Sequence, residues 1–178
     1  MIDTLDNHYS IDLSRIYVCG FSNGGLMSYR LACQLSNRIA AIASVSGVIS
    51  SGTADNCNSL HPMPVLHIQG TEDHLLPWSG KTGWNSVDLT LSYWSDFNDC
   101  AQVDTILLPD LDPTDGCIVE KISYSNCSGK SRVILYKVIN GGHYWPDVEP
   151  RFSFPGKITN DINAVVEIWN FFRNYKLE

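Results

Sequence analysis

The stretch Gly20-Phe21-Ser22-Asn23-Gly24-Gly25 is the part of this sequence best equipped for chemistry. It fits G-x-S-x-G, and it lies where a short apolar run gives way to helical spacing. A serine hydroxyl attacks a carbonyl only when it stands clear of the backbone, which a sharp strand-to-helix turn achieves. Glycines on both sides let strand and helix approach closely enough to make that turn. The helix behind it directs its first N–H groups and its positive end at the same point. Ser22 is therefore the expected nucleophile, and the Asn23 backbone N–H the expected oxyanion-hole donor. The pattern alone is short and common; its setting between strand and helix gives it weight.

A serine nucleophile needs a base, and the base needs an acid to orient it. Chains with this elbow supply them in the order Ser, then Asp or Glu, then His. Of the five histidines, His8 precedes the first strand and His61 lies on a Pro-flanked approach to a later one. His67 sits inside an apolar run, which suits a core or supporting role, and His74 comes before the remaining core strand. His143 follows the run 133–139 and Asn140-Gly141-Gly142, at the strand end where such sites assemble. It is the expected base. Glu72 and Asp73 both follow the third strand at Gly70-Thr71, and Asp73 is preferred as the acid. Trp78, Trp84, Tyr144 and Trp145 flank the site in sequence and serve either as an apolar wall or as core. Trp145 and Trp78 are carried as substrate-contacting residues, Trp145 foremost because it neighbours His143.

The elements that must hold these residues alternate along the chain. Residues 15–19 read as a short buried strand ending at Gly20, and Leu26 to Leu35 follow with helical spacing. Residues 40–45 and 64–68 read as two further buried strands. Val87, Leu91, Trp94 and Phe97 mark one face of an amphipathic helix. Residues 121–124 and 133–139 read as strands, the second strongly β-branched. Ile162, Val165, Val166, Trp169 and Phe172 mark a closing helix, with Thr159, Asn160 or Asp161 as its cap. Strands alternating with helices predict an α/β fold with a mainly parallel sheet flanked by helices, in one domain over residues 1–178.

Bulk composition narrows the function. Among 178 residues the apolar share is 44% and the charged share 17%, ordinary for a globular chain. A net charge of −7 with scattered Lys and Arg argues against a nucleic-acid partner. No apolar run approaches membrane-spanning length, and the start carries no basic-then-apolar leader. Six cysteines with no C-x-x-C pair argue against zinc and for an oxidising compartment, secreted or periplasmic. Cys19 and Cys33, in apolar elements, are expected as buried thiols. Cys57, Cys100, Cys117 and Cys127 lie in loop-like surroundings that suit disulfides. Asp110 to Gly116 looks like a calcium loop, but its glycine is one place late and the closing Glu is missing. No metal or organic cofactor is expected.

Taken in order, several segments make the chain resemble the polyhydroxybutyrate depolymerase-like esterases, relatives of feruloyl and acetylxylan esterases. They are Ile11 to Val18 leading into Gly-Phe-Ser-Asn-Gly-Gly, Pro64 to Asp73, Asp112-Pro113-Thr114-Asp115-Gly116, and Gly141-Gly142-His143-Tyr144-Trp145-Pro146. The resemblance implies an α/β-hydrolase-like fold, carboxylic-ester hydrolysis and triad roles for Ser22, Asp73 and His143. Its substrates would be short-chain esters, polyester oligomers, or feruloyl and acetyl groups on polysaccharide. It also implies a Cys100–Cys127 bridge. Gln69 stands where relatives often carry His, a difference expected to matter little. The front departs more. Relatives place several strands before the elbow, one loop of which supplies the second oxyanion donor, and here about twenty residues precede Ser22. Either self-association along the exposed first strand completes the sheet, or the chain is a piece of a longer protein. A degenerate hydrolase that binds carbohydrate or polyester without turnover, and a serine peptidase, are the competing functions.

Overall fold

The computed structural model describes residues 1–150 and 153–177. In chain order the helices and strands are α1 (Ile2–Asp6), β1 (Tyr17–Phe21), α2 (Asn23–Gln34), β2 (Ala41–Val45), α3 (Ser51–Asp55) and β3 (Val65–Gly70). Then follow α4 (Val87–Phe97), β4 (Gln102–Leu107), β5 (Ile118–Ser125), β6 (Val133–Ile139) and α5 (Ala164–Phe172). The six strands form one sheet in the order β1-β2-β3-β6-β5-β4. β1, β2, β3 and β6 run parallel, and β5 and β4 close the sheet antiparallel. The fold is α/β, a mostly parallel sheet flanked by helices as expected, with its parallel strands carrying the loops that matter.

Layering follows from which faces are apolar. Every residue of β2 and β3 is buried, as expected for central parallel strands covered on both faces. On one face α2 and α4 pack Tyr29, Ala32, Val87, Leu91 and Trp94 against Ile42, Val65 and Leu135. On the other, α5 packs Ala164, Ile168, Phe171 and Phe172 against Leu66, Ile68 and Tyr136. Capping sets the helix starts: Ser86 accepts from Leu89 N–H, and Asn163 accepts from Val166 N–H.

Several expectations are corrected. β1 is an edge strand and only half-buried, because β2 pairs with one of its sides. β4, which no apolar run announces, is exposed throughout and stands only as the antiparallel partner of β5. The cap of α5 is Asn163, because Asp161 Oδ1 accepts from the Leu111 and Asp112 N–H groups and Asp115 accepts from Asn160 N–H. Its apolar periodicity overstates its buried face: Val165, Val166 and Trp169 are exposed. Cys33 is bonded to Cys57, tying α2 to the chain beyond α3, and Cys19 is exposed on the edge strand. Cys117 is a buried free thiol. Cys100 and Cys127 are bridged, lacing the end of the β4–β5 ladder where Gln102 pairs with Ser125. Among the described residues no helix is long and apolar enough to cross a membrane.

Candidate active site

Ser22 occupies the junction of β1 and α2 with φ 53° and ψ −113°. A side-chain-bearing residue in such a conformation is strained by roughly 1–3 kcal/mol and persists only where its surroundings enforce it. Here they do. The Ser22 N–H donates to the Val45 carbonyl at 2.8 Å, and its own carbonyl accepts from Leu26 N–H at 3.0 Å. At Gly20 the strand passes so close to the helix that an added Cβ would lie 2.3 Å from the Gly24 carbonyl carbon. Ser22 is the N-cap residue of α2, yet its hydroxyl caps nothing, so Oγ is left free for other work. The adjacent Asn23 N–H opens the helix, one of the first N–H groups that have no carbonyl within it to bond.

His143 arrives from the loop after β6. That loop is fastened to the loop after β3, for Asn140 N–H donates to Thr71 Oγ1 and Glu72 N–H to the Gly141 carbonyl. The two loops thereby bring His143 Nδ1 to 2.7 Å from Asp73 Oδ2, with both side chains almost wholly buried. A carboxylate only accepts, so the imidazole proton sits on Nδ1 and Nε2 keeps its lone pair. The ring is seated between Phe21, at 4.9 Å between centroids, and Phe154, edge-on at 5.6 Å. Because Phe21 precedes Ser22, this contact sets the imidazole beside the elbow. Among the described residues the Ser22 hydroxyl makes no hydrogen bond; nucleophile–base contacts are often long before substrate binds.

Asp73 is a buried charge and is correspondingly well served. Oδ1 accepts from the Leu75 and Leu76 N–H groups at 2.9 and 2.8 Å. Oδ2 accepts from His143 and also from Gln69 Nε2 at 2.8 Å. Gln69, expected to matter little, is fully buried and touches the acid directly. Behind it, His67 is fully buried with Nδ1 2.6 Å from the Tyr29 hydroxyl. Burial pushes the His67 pKa down to about 4. The sequence reading gave no site role to Gln69, Phe21 or Phe154. A signal for the first was present, since a glutamine inside Val-Leu-His-Ile-Gln-Gly must find buried partners.

Trp145 packs on the α5 layer and, with Cys19, Val165, Ile168, Trp169 and Phe172, lines an open apolar groove of about 230 Å³. Trp78 braces the start of α4, its carbonyl accepting from Val87 N–H and its indole N–H reaching Asp88 at 3.3 Å. Glu72 faces outward beside His74 and takes no part in the Asp73 network. In the segment Asp110 to Gly116, Asp112 and Asp115 spend their carboxylates on backbone N–H groups, the Thr114 hydroxyl and Asn160. Among the described residues no cluster of three or more His, Cys, Asp or Glu is arranged to hold a metal ion.

The chain is similar to several known proteins. The model of the phospholipase/carboxylesterase family matches residues 2–99. Feruloyl esterase B of Piromyces equi is 30% identical over 149 residues, 81% of this chain and 27% of that protein. Feruloyl esterase D of Neurospora crassa is 27% identical over 175 residues, 98% of this chain and 53% of that one. A bifunctional acetylxylan esterase/xylanase of Neocallimastix patriciarum is 33% identical over 105 residues, 59% of this chain and 14% of that protein. The chain thus spans between about a seventh and about half of the length of these curated relatives. Among solved structures, esterase PE8 shares the fold with a TM-score of 0.52 at 18% identity, over 82% of this chain and 50% of that one.

Proposed function

The chain belongs to the phospholipase/carboxylesterase family of α/β hydrolases, and from that premise we propose that it is a serine carboxylic-ester hydrolase acting through Ser22, His143 and Asp73. The observation that carries the reading is the buried 2.7 Å hydrogen bond from His143 Nδ1 to Asp73 Oδ2, seated beside a serine held at φ 53°. The substrate class is a feruloyl or acetyl ester on polysaccharide, following the relatives, with short-chain and polyester esters as further substrates.

The reaction is two-step acyl transfer. His143 Nε2 takes the Ser22 proton as Oγ attacks the ester carbonyl carbon. The oxygen of the tetrahedral intermediate turns its negative charge toward the Asn23 N–H and the positive end of α2. His143 then returns the proton to the departing alkoxide, leaving the acyl group on Ser22. Water, deprotonated by the same imidazole, releases the acid and regenerates the hydroxyl. Throughout, Asp73 holds the tautomer and stabilises the imidazolium. Among the described residues the segment preceding β1 contains only α1, and Asn23 is the one oxyanion donor assigned. The free edge of β1 is the surface through which a second copy would pair. Two disulfides suit an oxidising, extracellular setting.

Hydrolysis of p-nitrophenyl acetate and of methyl ferulate by wild type and Ser22→Ala, with fluorophosphonate labelling alongside, tests the reading. Turnover and labelling that both disappear in Ser22→Ala are expected. A folded wild type that neither turns over nor labels would leave a binding protein as the better account.

A further inference from the structure

Behind the Asp73 carboxylate lies a line of buried polar groups that the acyl-transfer scheme leaves unused. We propose that Gln69 is a positioning residue for Asp73, held in its orientation by a chain of donors running from Tyr29 through His67 and Gln69 to the carboxylate. The inference rests on the reading of Asp73 and His143 as orienting acid and base.

The direction of the chain follows from what each group is able to give. Burial holds the Tyr29 hydroxyl well above the usual phenol range, so it stays protonated and donates to His67 Nδ1 at 2.6 Å. His67 is then neutral, with its own proton on Nε2. At the other end, Gln69 Nε2 donates both to Asp73 Oδ2 and, at 3.0 Å, to the Leu76 carbonyl. With both amide hydrogens used, Gln69 Oε1 is left as an acceptor.

Two atoms remain to be joined. His67 Nε2 and Gln69 Oε1 are both buried and without a partner among the described residues. They belong to alternate residues of β3, whose side chains leave the same face of the strand. One is a donor and the other an acceptor. Small side-chain rotations pair them, as buried polar groups in folded proteins nearly always are. The result is Tyr29 O–H to His67, His67 N–H to Gln69, Gln69 N–H to Asp73. The last donor, Gln69 Nε2–H, reaches the oxygen that also accepts from His143, so the chain fixes where that oxygen sits. A leucine of similar bulk would fill the space and leave the oxygen unheld.

The test combines kinetics with the imidazole resonances of the full chain labelled with ¹⁵N-histidine. Wild type is expected to show His67 as the Nε2–H tautomer and a strongly downfield His143 Nδ1 proton. In Gln69→Leu the His143 proton moves and kcat falls on the order of tenfold to a hundredfold with KM unchanged, the rate equivalent of a lost hydrogen bond to a charged group. Tyr29→Phe removes the donor to Nδ1, mixes the His67 tautomers and adds no further loss in the Gln69→Leu background. Gln69→Glu keeps the shape but donates only while its carboxyl is protonated. Its kcat relative to wild type should rise about tenfold from pH 8 to pH 5. Wild-type His67 found as the Nδ1–H tautomer would overturn the proposal. So would a folded Gln69→Leu with unaltered kcat and an unmoved His143 proton. Should Gln69→Leu fail to fold, the Tyr29→Phe tautomer and the Gln69→Glu pH ratio decide. An inert, unlabelled wild type would defeat the esterase reading alone, since the two imidazole readouts need no turnover.

Discussion

Replacing Gly20 by alanine puts a methyl group where the structure has backbone. The new Cβ would lie 2.3 Å from the Gly24 carbonyl carbon, 2.5 Å from its oxygen and 2.7 Å from its Cα, against the 3.4 Å or more of ordinary contact. The obstacle is main chain, so no rotamer relieves it, and strand and helix must separate by about 1 Å. Overpacking of this kind costs about 1–3 kcal/mol. For a chain of this length each kcal/mol lowers Tm by about 2–4 °C. Because the displaced junction carries Ser22, a shift of about 1 Å should also cost on the order of a hundredfold in kcat. Gly24, four residues on, supplies the control: an added Cβ there meets nothing within 4 Å. Gly24→Ala should gain up to about 1 kcal/mol of helix propensity and keep its kcat. Thermal unfolding followed by circular dichroism and p-nitrophenyl acetate turnover of both variants make the comparison. If Gly20→Ala keeps wild-type Tm and kcat, or Gly24→Ala is equally damaged, the close strand–helix approach is not what builds the elbow.

Stability should fall with acid through His67. Its folded pKa of about 4 lies below the unfolded value near 6.5, so as the pH drops through that window the unfolded chain takes up a proton that the folded one refuses. The loss amounts to about 3 kcal/mol between pH 6.5 and 4, read by denaturant unfolding, and should vanish from the difference profile in His67→Gln. Each disulfide closes a loop of sequence separation 24 or 27 and should contribute about 3–4 kcal/mol. Unfolding midpoints unchanged by reduction would contradict that estimate. If β1 pairs edge to edge, light scattering at micromolar concentration gives twice the mass of one chain, and Cys19→Pro, at a residue whose N–H faces the open edge, returns the single mass. A wild type that scatters as one chain rules the pairing out.

How far the sequence carried differs by element. Ser22, Asp73 and His143 were legible as candidates because each follows a recognisable apolar strand, and strand ends in a parallel sheet open on a common edge. The central strands and α4 were legible because burial on two faces or one leaves a periodic apolar record. β4 left no such record: its residues are exposed, and pairing with β5 alone makes it a strand. The exposed half of α5 misled for the opposite reason, since Val165, Val166 and Trp169 are apolar without being covered.

By itself, then, the sequence determined which residues could react and in what chain order, because those properties are local: a residue type, a turn, a strand end. The tertiary structure alone decided who their partners are. That Gln69 serves Asp73, that Phe21 seats His143 beside Ser22, and that Cys33 bonds Cys57 rather than lying buried as a thiol all depend on contacts across the fold. Pairwise contact depends on distances between segments far apart in the chain, and these are set by the packing of the whole sheet and its covering helices.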